Sequence, residues 1–103
     1  MEISFSQLVK KISSEKKPIL VEFWASWCLP CQSALAILEK VKEKYQREIV
    51  VCKVNVDKNP SASSSYKIKG LPTFVLFKNK QEQERKVGSQ SEKEICQLIK
   101  AYI

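Results

Sequence analysis

Cys28 and Cys31 stand three residues apart in the stretch VEFWASWCLPCQ, where an apolar run gives way to a helical pattern. Thiols at that spacing lie on one side of a first helical turn, within reach of a disulfide. In a chain with a β-α-β pattern they suggest redox chemistry or a metal. The thiolate is the reactive species, and a free cysteine is mostly protonated near neutral pH. A helix start offers Cys28 unpaired backbone N–H groups and the positive end of the helix dipole, which favour the thiolate. Cys28 is the expected attacking thiol, and the deeper Cys31 the one that resolves a mixed disulfide. Pro30 is tolerated because a first turn needs no amide donor there, and it stiffens the loop.

Other readings of the pair are weaker. A zinc site would need four thiolates, because the chain has no histidine, and Cys52 and Cys96 do not form a second Cys-x-x-Cys. Inert core cysteines would not explain why Trp24, Trp27 and Pro30 crowd one turn. A chemically silent scaffold that only docks a partner stays open.

Glu22 interrupts the apolar run six positions before Cys28. A charge in a central strand is costly unless it is partnered. One reading puts Glu22 at a strand end, with its carboxylate in water. The other makes it a buried acid with a raised pKa that takes a proton from Cys31 and returns it. Trp27 is expected to cover the site, and Trp24 to be structural. Cys52 reads as core, and Cys96 as structural or semi-exposed.

These residues need elements to hold them. FSQLVKKI places Phe5, Leu8, Val9 and Ile12 at helical spacing, with Ser4 or Ser6 as cap. The residues before it, Met1 to Ile3, are too few for a normal strand. Pro18 ends that helix, and Ile19 to Ala25 reads as a strand covered on both faces. From Cys31 to about Gln46, Ala34, Leu38, Val41 and Tyr45 form one buried helical stripe. Ile49 to Val56 is a second buried strand. Asn59 as N-cap and Pro60 in the first turn favour a short helix over a Ser-rich linker. Thr73 to Lys78 gives a third strand, and about Arg85 to Val87 a short polar fourth. A last helix from about Ser91 buries Ile95, Leu98, Ile99 and Tyr102, with Ser91 and Glu94 as a capping box. The order α-β-α-β-α-β-β-α makes the first two strands parallel and the last two antiparallel, in a mixed sheet with helices on both faces.

VEFWASWCLPCQ, KVNVDKNP, KGLPTFVLFKN and KVGSQS, in this order and at these separations, resemble the thioredoxin family across nearly the whole chain. The resemblance implies an α/β fold with a mixed four- to five-stranded sheet flanked by four helices. It implies disulfide reduction with Cys28 as nucleophile and Cys31 as resolving thiol. It places an aspartate where Glu22 stands and implies that Lys53 is its partner. It implies that Asp57 hydrogen-bonds Trp24, and that the Leu71–Pro72 bond is cis and lies against the cysteines. There the Leu71 backbone could pair with an extended substrate segment, by strand addition. Trp27, Leu29, Pro30, Leu71, Pro72 and Gly88 then form the expected docking surface, with Gly88 keeping it open. The expected partners are disulfide-containing proteins and, as electron donor, a flavin-dependent thioredoxin reductase; no bound cofactor or metal is implied. A more oxidising oxidoreductase or isomerase is the alternative within the family, since residues between the cysteines tune the potential. The chain departs from the pattern in four places. Leu29 replaces a glycine, Ala36 replaces a kinking proline, the N-terminal strand is clipped, and the Asn79-Lys80 turn lacks its glycine.

The totals set bounds. The 103 residues, 44% hydrophobic and 28% charged, fit one globular domain spanning 1–103. The net charge of +7 comes from scattered lysines with glutamates between them, with no run of like charges. That pattern argues for a solvated basic surface, with a mild preference for acidic partners, over a nucleic-acid binder. No signal-peptide layout and no membrane-length apolar run is present, so a cytoplasmic monomer without nucleic-acid or membrane partners is expected.

Overall fold

The apolar runs after Pro18 and Pro72 become β1 (Ile19–Trp24) and β3 (Thr73–Lys78), buried along nearly their whole length. With β2 (Val50–Asn55) and β4 (Gln81–Val87) they form a four-stranded sheet in the order β2-β1-β3-β4. The computed structural model describes residues 1–103. Four helices cover the sheet: α1 (Phe5–Ser14), α2 (Leu29–Lys44), α3 (Pro60–Ser65) and α4 (Glu92–Lys100). As the element order requires, β1 and β2 are parallel, while β3 runs antiparallel to both β1 and β4.

Strand alternation divides the core into two layers. Leu20, Val51, Phe74 and Leu76 face α2 and α4, where Ala34, Leu38, Val41, Ile95, Leu98 and Ile99 meet them. Ile19, Val21, Phe23, Cys52, Val54, Val75 and Phe77 face the other way, against Leu8 of α1 and Ala62 of α3. Both amphipathic helices at the chain ends start on capping boxes, Ser4 with Gln7 and Ser91 with Glu94. α2 runs unbroken past Ala36.

The structure differs from the sequence expectation at several points. Val9 is exposed, because the buried stripe of α1 runs through Leu8 with Phe5 and Ile12 half-buried beside it. β4 begins at Gln81 rather than near Arg85. Asn79 and Lys80, at φ 55° and 66°, make a two-residue turn that pairs Lys78 directly with Gln81. Such turns match the twist of a hairpin, so backbone bonds recruit charged residues that no apolar pattern marks. Asn59 occupies the N-cap of α3 but makes no cap bond; its Oδ1 accepts the Phe5 N–H instead, at 2.9 Å. Met1–Ile3 contributes one isolated bridge, Glu2 opposite Lys53, and no fifth strand.

Candidate active site

Cys28 is the N-cap of α2, with Leu29 and Pro30 opening the first turn. The three-residue spacing brings the Cα atoms of Cys28 and Cys31 to 5.3 Å, and the two sulfurs form a disulfide. The Cys31 N–H donates to Cys28 Sγ at 3.3 Å, so the helix end presents a donor directly to the outer sulfur. Cys28 retains 5% exposure and Cys31 none. Both pack with Ala25 in a small cluster closed by Trp24, Val56 and Leu71. The Leu71–Pro72 bond is cis. The Pro72 carbonyl accepts the Gly88 N–H at 2.8 Å, which ties the end of β4 to this loop. Gly88 adopts φ +90°, a conformation that side chains disfavour, although a Cβ there would meet nothing. A Cβ at Gly70 would lie 3.0 Å from Val87 Cγ1, a tight contact with an exposed side chain.

Glu22 lies in mid-sheet, fully buried, and neither carboxylate oxygen has a hydrogen-bond partner. The strand-end reading is therefore excluded. By alternation along β1, Glu22 shares the face of Leu20, the face that α2 covers. Burial pushes its carboxyl up to about 8, opposed by the Lys53 charge and reinforced by that of Glu2. Lys53 sits opposite Glu22 in the ladder but does not pair with it. Its ammonium turns to Glu2, at 3.9 Å, and to the Trp24 ring, 5.1 Å from the centroid. A half-exposed partner costs a lysine less desolvation than a fully buried one.

Trp27 and Leu29 are the exposed side of the site, at 69% and 73%. Trp27 therefore keeps most of its surface open to solvent beside the cysteines. Its Nε1–H donates to Asp57 Oδ2 at 2.8 Å. Asp57 thus holds Trp27, not Trp24 as the resemblance implies; the Trp24 Nε1 is buried without a partner. The loop bearing Asp57 is shaped by Asn55, whose Oδ1 accepts the N–H groups of Asp57 and Lys58 at 2.9 and 3.2 Å. Asn55 does not stand out among the candidate residues of the sequence; an Asn two residues before an Asp at a strand end is the signal that could find it. Cys52 is buried and its thiol is pushed up to about 12 by desolvation, as a core cysteine's would be. Cys96 is also buried, on the α2–α4 side. No group of side chains clusters as a metal site.

Residues 1–101 match the family model described as Thioredoxin. The chain belongs to the thioredoxin family. Among its relatives, the thioredoxin of Buchnera aphidicola is 39% identical over 92 residues, covering 89% of this chain and 84% of that one. The thioredoxin of Pseudomonas aeruginosa is 36% identical over 102 residues, covering 99% and 92%. The solved chloroplastic thioredoxin z superposes with a TM-score of 0.90 at 33% identity, over 98% of this chain and 91% of that one. A solved mutant thioredoxin from Halobacterium salinarum gives 0.89 at 32% identity, over 99% and 88%. As a thioredoxin-family protein with the Cys28–Cys31 pair closed into a disulfide, the chain is a thiol-disulfide oxidoreductase. The thioredoxin fold holds its redox pair where the resemblance implied, at the junction of β1 and α2.

Proposed function

We infer that the protein works in the reducing direction, on disulfides of other proteins, through a mixed disulfide on Cys28. The observation that carries this is the pairing of a helix-capping Cys28 with a buried, unpartnered Glu22 on the α2 face of the sheet. The Cys28 thiolate attacks one sulfur of the substrate disulfide; that S–S bond breaks and the other substrate sulfur leaves as a thiolate. Cys31 then passes its proton to the Glu22 carboxylate and attacks Cys28 Sγ. The Cys28–substrate bond breaks, the second substrate thiolate leaves, and the Cys28–Cys31 disulfide remains. The substrate has gained two electrons, and its thiolates take protons from solvent and from Glu22. Burial raises the proton affinity of this acid toward that of a thiol, so its ionised fraction can take the Cys31 proton and return it at little cost in energy.

The docking surface we assign comprises Trp27, Leu29, Pro30, Leu71, Pro72 and Gly88. None of the surface hollows is lined by these residues or by Cys28 or Cys31. A convex site with two exposed apolar side chains favours a protein segment over an engulfed small molecule. Lys53 acts as a charge near Glu22, not as its ion-pair partner. The electron donor that closes the cycle is a thioredoxin reductase, and the cytoplasm, which keeps thiols reduced, is the compartment that suits this direction of transfer.

Cys31→Ser tests the assignment. It should stall substrates as stable mixed disulfides on Cys28, released by dithiothreitol and absent when Cys28 is also replaced. Trapping through Cys52 or Cys96 instead would overturn it.

A further inference from the structure

Lys53 stands beside Glu22 on the sheet, yet its charge is directed elsewhere. The β1–β2 ladder pairs the two residues, and both side chains leave the sheet on the α2 face. No protein group donates to the Glu22 oxygens. The Lys53 ammonium lies instead between the Trp24 ring and the Glu2 carboxylate, at 5.1 Å from the ring centroid and 3.9 Å from Glu2 Oε1. Glu2 is in place through its backbone. Met1–Ile3 lies along the outer edge of β2, with the Lys53 N–H donating to Met1 O at 2.9 Å and the Ile3 N–H donating to Lys53 O at 3.0 Å. That pairing sets Glu2 in register with Lys53, on the side away from Glu22. Glu22 and Glu2 therefore flank one lysine, and the lysine is bound to the outer one.

We propose that Glu2 is a positioning residue: by holding the Lys53 ammonium toward the sheet edge, it keeps the Glu22 carboxylate without a counterion and basic enough to take the Cys31 proton. The proposal rests on Glu22 being the proton carrier. Two charges act on Glu22, Lys53 from β2 and Glu2 from the edge segment. β3 pairs it with Phe74, and the side chains that α2 and α4 bury on this face are chiefly apolar, with Tyr45 and Cys96 the titratable ones among them. Trp24, next on the same face of β1, does not titrate. An opposite charge brought close to a carboxylate lowers its proton affinity. The position of the Lys53 ammonium is thus the adjustable part of this site. Glu2 and the Trp24 ring together offer that ammonium a half-exposed seat, which competes with entry into the buried space around Glu22.

The test is a carbon-13 NMR titration of the Glu22 carboxyl in the oxidised protein, where neither active-site thiol titrates, alongside the pH profile of disulfide-reduction turnover. Glu2→Gln keeps the backbone bridge, so the fold is retained. It should lower the Glu22 midpoint by about half a pH unit or more, because it frees Lys53 to approach. The limb of the turnover profile assigned to Glu22 should move the same way. In a Lys53→Met background the same Glu2→Gln change should move the midpoint by less than half as much. An unmoved midpoint, or an equal shift in both backgrounds, overturns the steering of Lys53 by Glu2. Glu22→Gln separates the two levels. If it leaves the turnover profile unchanged, Glu22 is not the proton carrier, while the NMR midpoints still decide whether Glu2 governs it.

Discussion

Glu22 and Lys53 occupy paired positions on β1 and β2 and form no ion pair; the lysine is held by Glu2 and the Trp24 ring, and the acid is buried alone. The consequence for stability has a definite sign. The Glu22 carboxyl is raised from 4.5 to about 8 on folding. Between those values the folded chain holds a proton that the unfolded chain has lost. Stability contributed by this group is therefore complete at low pH and declines as pH rises through that window. Glu22→Gln removes the dependence. Denaturant unfolding of both proteins should show the variant gaining roughly 2 to 4 kcal/mol relative to wild type between about pH 5 and pH 9. Parallel pH dependences would show that Glu22 titrates normally.

Asp57 fixes the Trp27 indole on the open side of the site by a 2.8 Å hydrogen bond. Asp57→Ala should leave Trp27 free to sample other rotamers. A charge-assisted hydrogen bond of this kind contributes about 1.5 to 3 kcal/mol where buried and less at the surface. The kcat/KM toward protein disulfides should fall by about three- to tenfold, since ~1 kcal/mol corresponds to a factor of about five. The rate with a small disulfide, which needs no Trp27 platform, should change little. Equal losses on both substrates would place Asp57 in the chemistry itself.

Leu29 is 73% exposed beside Cys28. Covering such a side chain with a partner surface stabilises the complex by about 1 to 2 kcal/mol. Leu29→Gly should raise KM for protein disulfides by roughly three- to tenfold at similar kcat, as loss of uniform binding does. Unchanged KM across several protein substrates would make Leu29 a neutral substitution.

The Asn79-Lys80 turn holds two non-glycine residues at positive φ. Lys80→Gly relieves a left-handed conformation that costs an ordinary side chain about 1 kcal/mol, partly offset by glycine's larger unfolded-state entropy. The net gain should be about 0.5 kcal/mol in denaturant unfolding, with activity unchanged. Destabilisation would mean that the Lys80 side chain contributes more than its backbone conformation costs.

What is legible in the sequence follows from what burial writes into it. β3 runs from Thr73 to Lys78 as its pattern predicts, because Pro72 bounds an apolar run. The α2 stripe of Ala34, Leu38, Val41 and Tyr45 is buried throughout, because its spacing is that of one helical face. β4 is longer than its pattern suggests, because an edge strand held by backbone bonds leaves no apolar alternation to find. Val9 lies outside the core because spacing alone does not fix the centre of a helix's buried stripe. At the site, the cysteines and Glu22 stand out by type and position. The partners of Lys53 and Asp57 do not, because a long side chain on a known backbone position can still turn to any of several neighbours. The Glu2–Lys53 bridge depends on a three-residue segment too short to carry a pattern.

The most direct test of the dithiol assignment is insulin reduction driven by dithiothreitol, with wild type and Cys28→Ser compared. The wild type should accelerate reduction well above the uncatalysed rate, and Cys28→Ser should return it to background. A wild-type rate at background, or full activity in Cys28→Ser, would contradict disulfide reduction through Cys28.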